Sequence, residues 1–281
     1  MSHHGLQRAL VVALHDPSFV DAMHAAPEET LAPFGLDAAE RTQLLAVDRR
    51  AFRVDPLRPR RVLKAISEEL KGSLAIALAE ARTLALADGF FASPAFRAAI
   101  AEDRPLVLAL ADYLDAALAG GALRSPQLPG VLAIERARAE ARRDAHRAGP
   151  PGLAVAPGVR PLAIPPGALA ALQAAERYLF ELSLLPQVAL CDDRPPLELP
   201  PVEPGAPLHL VARAGGGEVA LTEIPEPLHR TLGALERAAA RGRVDRRDMA
   251  AVLATVNLRV PDPDALVDDL VTEGYASEVD D

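Results

Sequence analysis

The sequence Leu208–Ile224, LHLVARAGGGEVALTEI, consists of two short β-forming runs on either side of a glycine-rich turn. We predict a strand at Leu208–Arg213, a turn at Ala214–Gly217 and a second strand at Glu218–Ile224. Glycine reaches the positive φ angles of tight hairpin turns at no steric cost. The segment therefore predicts an antiparallel β-hairpin.

Three short helical patterns follow the hairpin, at Leu228–Arg241, Arg246–Val256 and Asp264–Glu273. Each has apolar residues at helical spacing with polar residues between them. A hairpin followed by three helices predicts a small α+β module of the winged-helix type, from about residue 205 to residue 281. Modules of this kind usually bind a nucleic acid or a peptide, so the charge of the chain helps to choose between the two.

The composition of the chain favours helices. It has 281 residues, enough for two domains of ordinary size. Half of the residues are hydrophobic, but only 4% are aromatic and none is Trp. We therefore expect a core of Ala, Leu and Val in close-packed helices. The predicted fold class is mainly α, with an N-terminal helical domain followed by the small α+β module.

The net charge of −9 argues against a nucleic-acid partner, because proteins that bind phosphate backbones usually present a basic field. No apolar run is long enough to span a membrane, and the first residues lack the features of a signal peptide. We expect a cytoplasmic protein that binds neither a nucleic acid nor a membrane. Cys191 is the only cysteine, and we expect it to be a small core residue.

Proline and glycine indicate where the domains begin and end. Residues 1–147 are predicted to form a helical domain, and residues 148–166, which contain AGPPG, APG and IPPG, a linker. Residues 167–281 are predicted to form the C-terminal domain. This domain begins with a helix at 167–185, continues through a second proline-rich stretch and ends with the winged module.

Capping residues predict where several helices of the N-terminal domain begin. Asp16 can accept hydrogen bonds from free amides of a first helical turn, and Pro17 suits the first helical position. Asp37 and Glu40 have the spacing of a capping box. Apolar spacing predicts a long amphipathic helical stretch from about Arg58 to Ala87, with Gly72 as a candidate bend.

The residue types that carry chemistry do not fall into an active-site spacing. The seven histidines include no pair at metal-binding spacing apart from His3 and His4 at the start of the chain. The sequence has no glycine-rich phosphate loop and no Gly-x-Ser-x-Gly nucleophile motif. We therefore expect no catalytic residue, no metal site and no cofactor.

The helix predicted at Leu128–Arg147 is rich in arginine in its second half. One interpretation is a solvated face on which Glu135, Glu140 and Asp144 balance the arginines. The other is a docking surface for an acidic partner. The candidate docking residues are Arg136, Arg138, Arg142 and Arg143.

The N-terminal stretch that begins DPSFVDAM resembles the small α subunit of LigAB-type extradiol dioxygenases over about forty residues. The matching residues are Asp16, Pro17, Phe19, Leu31, Phe34, Gly35, Leu36, Glu40 and Arg41. This resemblance implies a small helical subunit without catalytic residues of its own. It does not explain the C-terminal module.

A second resemblance covers more of the chain. The sequences FFASPAFRAA (90–99), ADYLDAAL (111–118) and LPGVLAIERARAEA (128–141), followed by a terminal winged module, resemble the partner proteins of multinuclear non-heme iron-dependent oxidases. Those partners join a helical region to a domain like the recognition element of ribosomally synthesised, post-translationally modified peptides (RiPPs). The iron ligands belong to a separate TIM-barrel oxidase chain.

This second resemblance implies a non-catalytic accessory subunit that forms a heterodimer with the oxidase and presents a precursor peptide to it. The peptide is expected to add as a strand to the edge of the hairpin, beside the last helix. The candidate peptide-binding residues are Leu208, Leu210, Val219, Leu221, Asp264, Val267, Asp268 and Val271.

Two alternatives remain open at this stage, a winged-helix transcriptional regulator and a small helical subunit of a dioxygenase. A regulator needs a basic recognition helix, whereas the segment Asp264–Glu273 is acidic. The neighbouring genes distinguish these hypotheses. An adjacent iron-oxidase gene and a short Cys-rich precursor favour the accessory subunit, and a divergent promoter without them favours the regulator.

Overall fold

In a computed structural model, the described part of the chain is mainly helical and forms two small β-sheets. The described residues are 3–183, 196–202 and 204–279. Cys191 and the far end of the predicted helix 167–185 lie outside this part of the chain.

The chain divides into two compact units. The first, called here the N-terminal unit, combines Met1–Pro129 with Ala174–Glu198. The second, the C-terminal unit, combines Gly130–Gln173 with Leu199–Asp281. The division therefore differs from the predicted boundary after residue 147, because most of the arginine-rich helix groups with the second unit.

Short helices form most of the N-terminal unit, with 3-10 turns at Ala32–Phe34 and Arg49–Arg53. The helices are α1 (His4–His15), α2 (Pro17–Ala25), α3 (Pro27–Leu31), α4 (Ala38–Leu45), α5 (Arg58–Ser67), α6 (Lys71–Ala81), α7 (Ala85–Phe91), α8 (Pro94–Glu102) and α9 (Leu106–Ala119).

The predicted capping interactions are confirmed. The Asp16 side chain accepts a hydrogen bond from the backbone N–H of Ser18 at 2.9 Å, and Pro17 occupies the first turn of α2. Asp37 and Glu40 form a reciprocal capping box at the start of α4. These contacts were predictable because both partners lie within a few residues of each other.

The long helix predicted from Arg58 to Ala87 is wrong, since this segment forms α5, α6 and α7. Arg82 adopts a left-handed backbone conformation (φ 52°) and ends α6 after Ala81. Apolar spacing continues across this break, so periodicity alone could not reveal it.

The few aromatic residues of the chain are concentrated in the N-terminal unit. Phe90, Phe91 and Phe96 are buried, and their ring centroids lie 5.2–5.5 Å apart. The His15 ring stacks on Phe91 at 5.5 Å. The expectation of a core made of Ala, Leu and Val therefore needs correction here, because these aromatic rings fill the space between α1, α7 and α8.

An ion pair between a buried carboxylate and a partly exposed arginine connects the start of α2 with α8. Asp16 is fully buried, and its carboxylate accepts hydrogen bonds from Arg97 Nε at 2.9 Å and from the Arg97 guanidinium at 2.6 Å. It also accepts a hydrogen bond from the Ser18 hydroxyl. One carboxylate thus caps a helix and joins two segments that lie far apart in the sequence.

The C-terminal unit contains the remaining helices and all five strands of the described residues. The helices are α10 (Leu128–Asp144), α11 (Ala168–Ser183), α12 (Glu226–Ala239), α13 (Met249–Ala254) and α14 (Pro263–Thr272). The strands are β1 (Gly152–Val155), β2 (Val159–Ile164), β3 (Leu208–Gly215), β4 (Glu218–Glu223) and β5 (Ala276–Val279). The first two residues of α10 and the second half of α11 group with the N-terminal unit.

The predicted hairpin is confirmed as β3 and β4. The two strands pair antiparallel from Leu210 with Glu223 to Gly215 with Glu218. Gly216 and Gly217 form the two-residue turn with φ angles of 58° and 88°. Positive φ at both central positions is the conformation for which glycine is favoured in such turns.

The predicted linker at 148–166 is wrong in part, because it contains β1 and β2. β1 pairs with β5, and β2 pairs with β3 from Val159–Arg213 to Ile164–Leu208. Ala214 N–H donates a hydrogen bond to the Gly158 carbonyl. Because alternate residues of β2 bond to β3 from this point on, the backbone nitrogen of Pro161 is directed away from β3. Proline is tolerated at such a position on an edge strand.

Removing the buried carboxylate of Asp16 should destabilise the protein strongly. The substitution Asp16→Ala removes a helix cap and a charge-assisted pair, so we expect the free energy of unfolding to fall by about 2–4 kcal/mol. The exposed pair between Arg53 and Asp21 is the matched control, and Asp21→Ala should change that free energy by less than about 0.5 kcal/mol. Urea denaturation followed by circular dichroism measures both. Equal losses of stability in Asp16→Ala and Asp21→Ala would contradict the stabilising role assigned to the buried carboxylate of Asp16.

Candidate functional site

The sheet β2–β3–β4 has two faces, and one of them is directed toward α10. Arg160 on β2 forms ion pairs with Glu140 and Asp144 of α10. Because side chains alternate along a strand, the register places Leu162 and Ile164 on the same face as Arg160. The cross-strand partners on this face are Leu208, Leu210, Ala212, Val219 and Leu221.

The opposite face of the sheet covers a separate hydrophobic core. Val159 and Val211 belong to this core together with residues of α12, α13 and α14. Val267 and Leu270 are the buried residues of α14. The last helix therefore packs on the other side of the sheet from the apolar residues of the hairpin.

The residues predicted to bind a peptide are thus not brought together into one groove. The four hairpin residues share the face toward α10, whereas Val267 and Val271 belong to or pack against the core on the opposite face. α14 packs against α13 and β5, and β4 pairs with β3. A peptide could touch the hairpin edge or α14, but this arrangement does not place the two side by side.

Two of the predicted contact residues are core residues. Leu210 is 2% exposed and Val267 is fully buried, so neither side chain can reach a bound peptide. Leu208, Val219, Leu221 and Val271 are half-buried. The remaining predicted residues are the exposed carboxylates Asp264 and Asp268. Asp268 is paired with Arg246, whose pKa this hydrogen bond raises.

The free edge of β4 is the most distinctive feature of the hairpin. In the described residues the sheet order is β2–β3–β4, so β4 lies at one edge. Ile224 N–H donates to the His209 carbonyl at 3.0 Å. In an antiparallel ladder, the backbone groups of alternate residues hydrogen-bond to the partner strand. The N–H and C=O groups of Thr222 and Ala220 are therefore also directed toward β3.

The alternate residues of β4 carry their backbone groups outward. By the same register, the N–H and C=O groups of Val219, Leu221 and Glu223 are directed away from β3. Unpaired groups of this kind form a template for an added strand. Val219 and Leu221 also place their half-buried apolar side chains beside this edge, on the face toward α10.

The predicted docking arginines lie on a largely buried helix. Arg136, Arg138 and Arg143 are half-buried and Arg142 is exposed. Arg143 donates a hydrogen bond to the Ala139 carbonyl at 2.8 Å, and all four arginines make interactions within the protein. Glu135, on the same helix, is 3% exposed. The helix is therefore not the solvated face of the first interpretation, since Glu135 is buried and Glu140 and Asp144 form ion pairs with Arg160 and Arg147. The four arginines do not form a free docking surface either, because each interacts within the protein.

Two histidines that the sequence left far apart meet in the C-terminal unit. The rings of His209 on β3 and His229 on α12 lie 4.7 Å apart between centroids. Burial lowers the pKa of the His229 imidazole, and the neighbouring His209 lowers it further. His209 Nδ1 is buried without a hydrogen-bond partner among the described residues. Sequence spacing gave no signal for this pair, because only the packing of α12 on β3 creates it.

The described residues line at least two cavities. One of about 630 Å³ lies beside α13 and the loop to α14 and includes Leu253, Asn257 and Arg259. The other, of about 410 Å³, lies in the N-terminal unit between the end of α1, the loop before α5, and α7. Within the described ranges no group of three or more His, Cys, Asp or Glu side chains is arranged to hold a metal ion. No described helix has the length and apolar character needed to cross a bilayer.

Comparison of this chain with protein-family models, with curated proteins and with solved structures finds no match.

The histidine pair predicts acid-dependent destabilisation. The ordinary pKa of 6.5 applies to His229 in the unfolded chain, and the folded value lies below it. As the pH falls below about 6.5, the unfolded state binds the proton first, so the free energy of unfolding should decrease. The contribution of neutral His229 to the free energy of unfolding is fully present above about pH 6.5. It is lost as the pH falls toward the pKa of His229 in the folded protein.

Urea titrations at a series of pH values between about 5 and 8 measure this effect. His229→Gln should flatten the decrease, and the same substitution at exposed His146 should leave it unchanged. A residual slope is expected in the variant, because burial also lowers the pKa of His15. A steeper decrease in His229→Gln than in the natural protein would be inconsistent with this role.

Proposed function

We propose that this protein is a non-catalytic partner that binds a ribosomally synthesised precursor peptide and presents it to a multinuclear iron-dependent oxidase. The observation that carries the proposal is the free edge of β4, where the N–H and C=O groups of Val219, Leu221 and Glu223 face outward. An extended peptide can pair with those groups as an additional strand. The oxidation itself belongs to the partner enzyme.

The binding mode we propose is narrower than the one expected from the sequence. Main-chain hydrogen bonds to β4 supply affinity, and alternate peptide side chains lie beside Val219 and Leu221. α14 is not part of this site, because its buried residues Val267 and Leu270 belong to the core on the other side of the sheet. The site is therefore an edge rather than a groove between strand and helix.

The proposed winged-helix character of the module is supported by the order of its elements. α12, α13 and α14 share one core. Between α12 and α13, the carbonyl of Val244 accepts a hydrogen bond from Leu153 N–H of β1 at 2.7 Å, and β5 pairs with the same strand. The order of elements is α12, the extended segment at Val244, α13, α14 and β5. This order of helix, extended segment, helix, helix and strand is that of winged modules.

A transcriptional regulator is less well supported by the surface of α14. Its exposed residues include Asp264, Asp268 and Asp269, which repel phosphate groups. We place the complex with the oxidase in the cytoplasm, where precursor peptides are synthesised.

Co-expression with the neighbouring genes tests the proposed complex. Expressing this chain together with the adjacent oxidase should yield one co-purified complex, and mass spectrometry should detect the short precursor peptide bound to it. Omitting this chain should abolish modification of the peptide. Separate gel-filtration peaks together with unchanged modification would contradict the proposal.

Proline substitutions on β4 test the strand-addition mode. Leu221→Pro and Val219→Pro remove N–H groups that face outward and not toward β3, so the hairpin should remain folded. Each should weaken binding of the co-purified peptide about tenfold, which corresponds to about 1.4 kcal/mol. Isothermal titration calorimetry measures the affinity.

Two control variants distinguish backbone from side-chain effects. Leu221→Ala keeps the N–H group and should weaken binding less than Leu221→Pro does. Thr222→Pro removes an N–H group that bonds to β3 and should destabilise the sheet itself. The contrary result is that the Val219→Pro and Leu221→Pro variants bind the peptide as tightly as the natural protein does while circular dichroism shows that the module is folded. That result would contradict binding at β4 and place the peptide elsewhere.

A further inference from the structure

A strongly basic segment stands out in this acidic chain. Residues 48–64, DRRAFRVDPLRPRRVLK, contain seven Arg and Lys residues against two Asp residues, whereas the whole chain has a net charge of −9. The segment covers the 3-10 turn at Arg49–Arg53, the following loop and the first two turns of α5. A net charge of +5 in so short a segment concentrates a positive field on one part of the N-terminal unit.

Part of this positive charge has no ion-pair partner in the part of the chain that the structure describes. Arg53 pairs with Asp21, and Arg58 and Arg61 share Asp55. Within this segment, the exposed cations that have no ion pair to a described residue are Arg49, Arg50, Arg60 and Lys64. Arg60 and Lys64 are four residues apart on α5 and therefore share one face of the helix.

The basic segment borders an apolar cleft of about 410 Å³. Leu14, Phe52 and Phe91 are among its lining residues, and Phe52 and Phe91 are only 4% and 2% exposed. Pro56 and Arg60 line the cleft from the basic segment. A cleft of this size admits one or two large apolar side chains.

Exposed apolar residues lie in the loop that lines the same cleft. Val54 is 78% exposed and Leu57 is 54% exposed, in the loop whose Asp55 and Pro56 line the cleft. Large apolar residues at such exposure next to a cleft are typical of surfaces that bind another molecule. The surface therefore combines an apolar cleft, the exposed apolar residues Val54 and Leu57, and the basic residues of segment 48–64.

Two carboxylates face the cleft and must be counted against its positive charge. Asp55 forms ion pairs with Arg58 and Arg61, and the hydrogen bond from Arg61 lowers its pKa. Asp88 of α7 is exposed. Neutralising Asp88 should therefore increase the attraction of the cleft for an anion.

We propose that this cleft is a docking site for an acidic segment of a partner protein that carries apolar anchor residues. The apolar side chains enter the cleft, and the acidic residues on either side contact Arg49, Arg50, Arg60 and Lys64. A concave cleft accepts individual side chains, which a flat bilayer surface does not supply. The site is independent of the proposed function, because the edge strand β4 lies in the C-terminal unit.

A synthetic peptide tests the docking site on the full chain. The probe is a fluorescein-labelled Glu-Glu-Leu-Glu-Glu-Phe-Glu-Leu-Glu, with one control in which Leu and Phe become Ser and another in which Glu becomes Lys. Fluorescence anisotropy should show binding of the first peptide, at least about tenfold weaker binding of the Ser control and no binding of the Lys control. Binding should weaken as the salt concentration rises.

Matched variants localise the probe. Arg50→Glu with Arg60→Glu should weaken binding at least about tenfold, whereas Arg241→Glu with Arg259→Glu, an equal change of charge at exposed residues of the C-terminal unit, should not. Leu57→Ser, directly after the lining residue Pro56, should weaken binding. Leu84→Ser, at a similar 55% exposure but not adjacent in sequence to any lining residue, should not. Asp88→Asn should tighten binding.

Three outcomes would overturn the proposal. The first is equal binding of the acidic probe to the natural protein and to the Arg50→Glu, Arg60→Glu variant. The second is equal binding of the original and Ser peptides, which would show a charge effect without use of the cleft. The third is no probe binding while phosphatidylserine–phosphatidylcholine vesicles bind in the same basic-residue-dependent manner, which would indicate a membrane surface.

Discussion

The pairing of β3 with strands on both of its sides is the constraint on which the C-terminal unit depends. Leu210, Val211 and Ala212 are consecutive and all buried, so the middle of β3 is covered on both faces. Val211 faces the core formed with α12–α14, and its two neighbours face the side toward α10. A register shift of one residue would exchange the residues on these two faces and so disrupt the packing on both sides of the sheet.

The same register determines what the hairpin can offer to a partner. Along β3, the backbone groups of alternate residues hydrogen-bond to β2 and those of the residues between them hydrogen-bond to β4, so both edges of β3 are paired. β4 uses only one of its edges among the described strands, which leaves outward groups at Val219, Leu221 and Glu223. An open edge is a liability in a soluble protein, and its retention beside apolar side chains is consistent with a bound strand.

Local features of this fold could be predicted from the sequence, and long-range ones could not. The glycine turn at Gly216 and the cap at Asp16 depend on neighbouring residues, and both were predicted. β2 was missed because Pro161 normally indicates a linker, and only pairing with the distant β3 makes its position acceptable. For the site, the hairpin was predicted but the placement of Val267 was not, because helix spacing shows which residues are apolar and not which face of a sheet they cover.

Amide hydrogen exchange along β4 measures the central claim most directly. In the free protein, the amides of Ala220, Thr222 and Ile224 should exchange slowly because they bond to β3, and those of Val219, Leu221 and Glu223 should exchange fast. Binding of the peptide recovered by co-expression should slow the second set and leave the first set nearly unchanged. Peptide-induced protection confined to α14, with the outward amides of β4 still exchanging fast, would contradict the account.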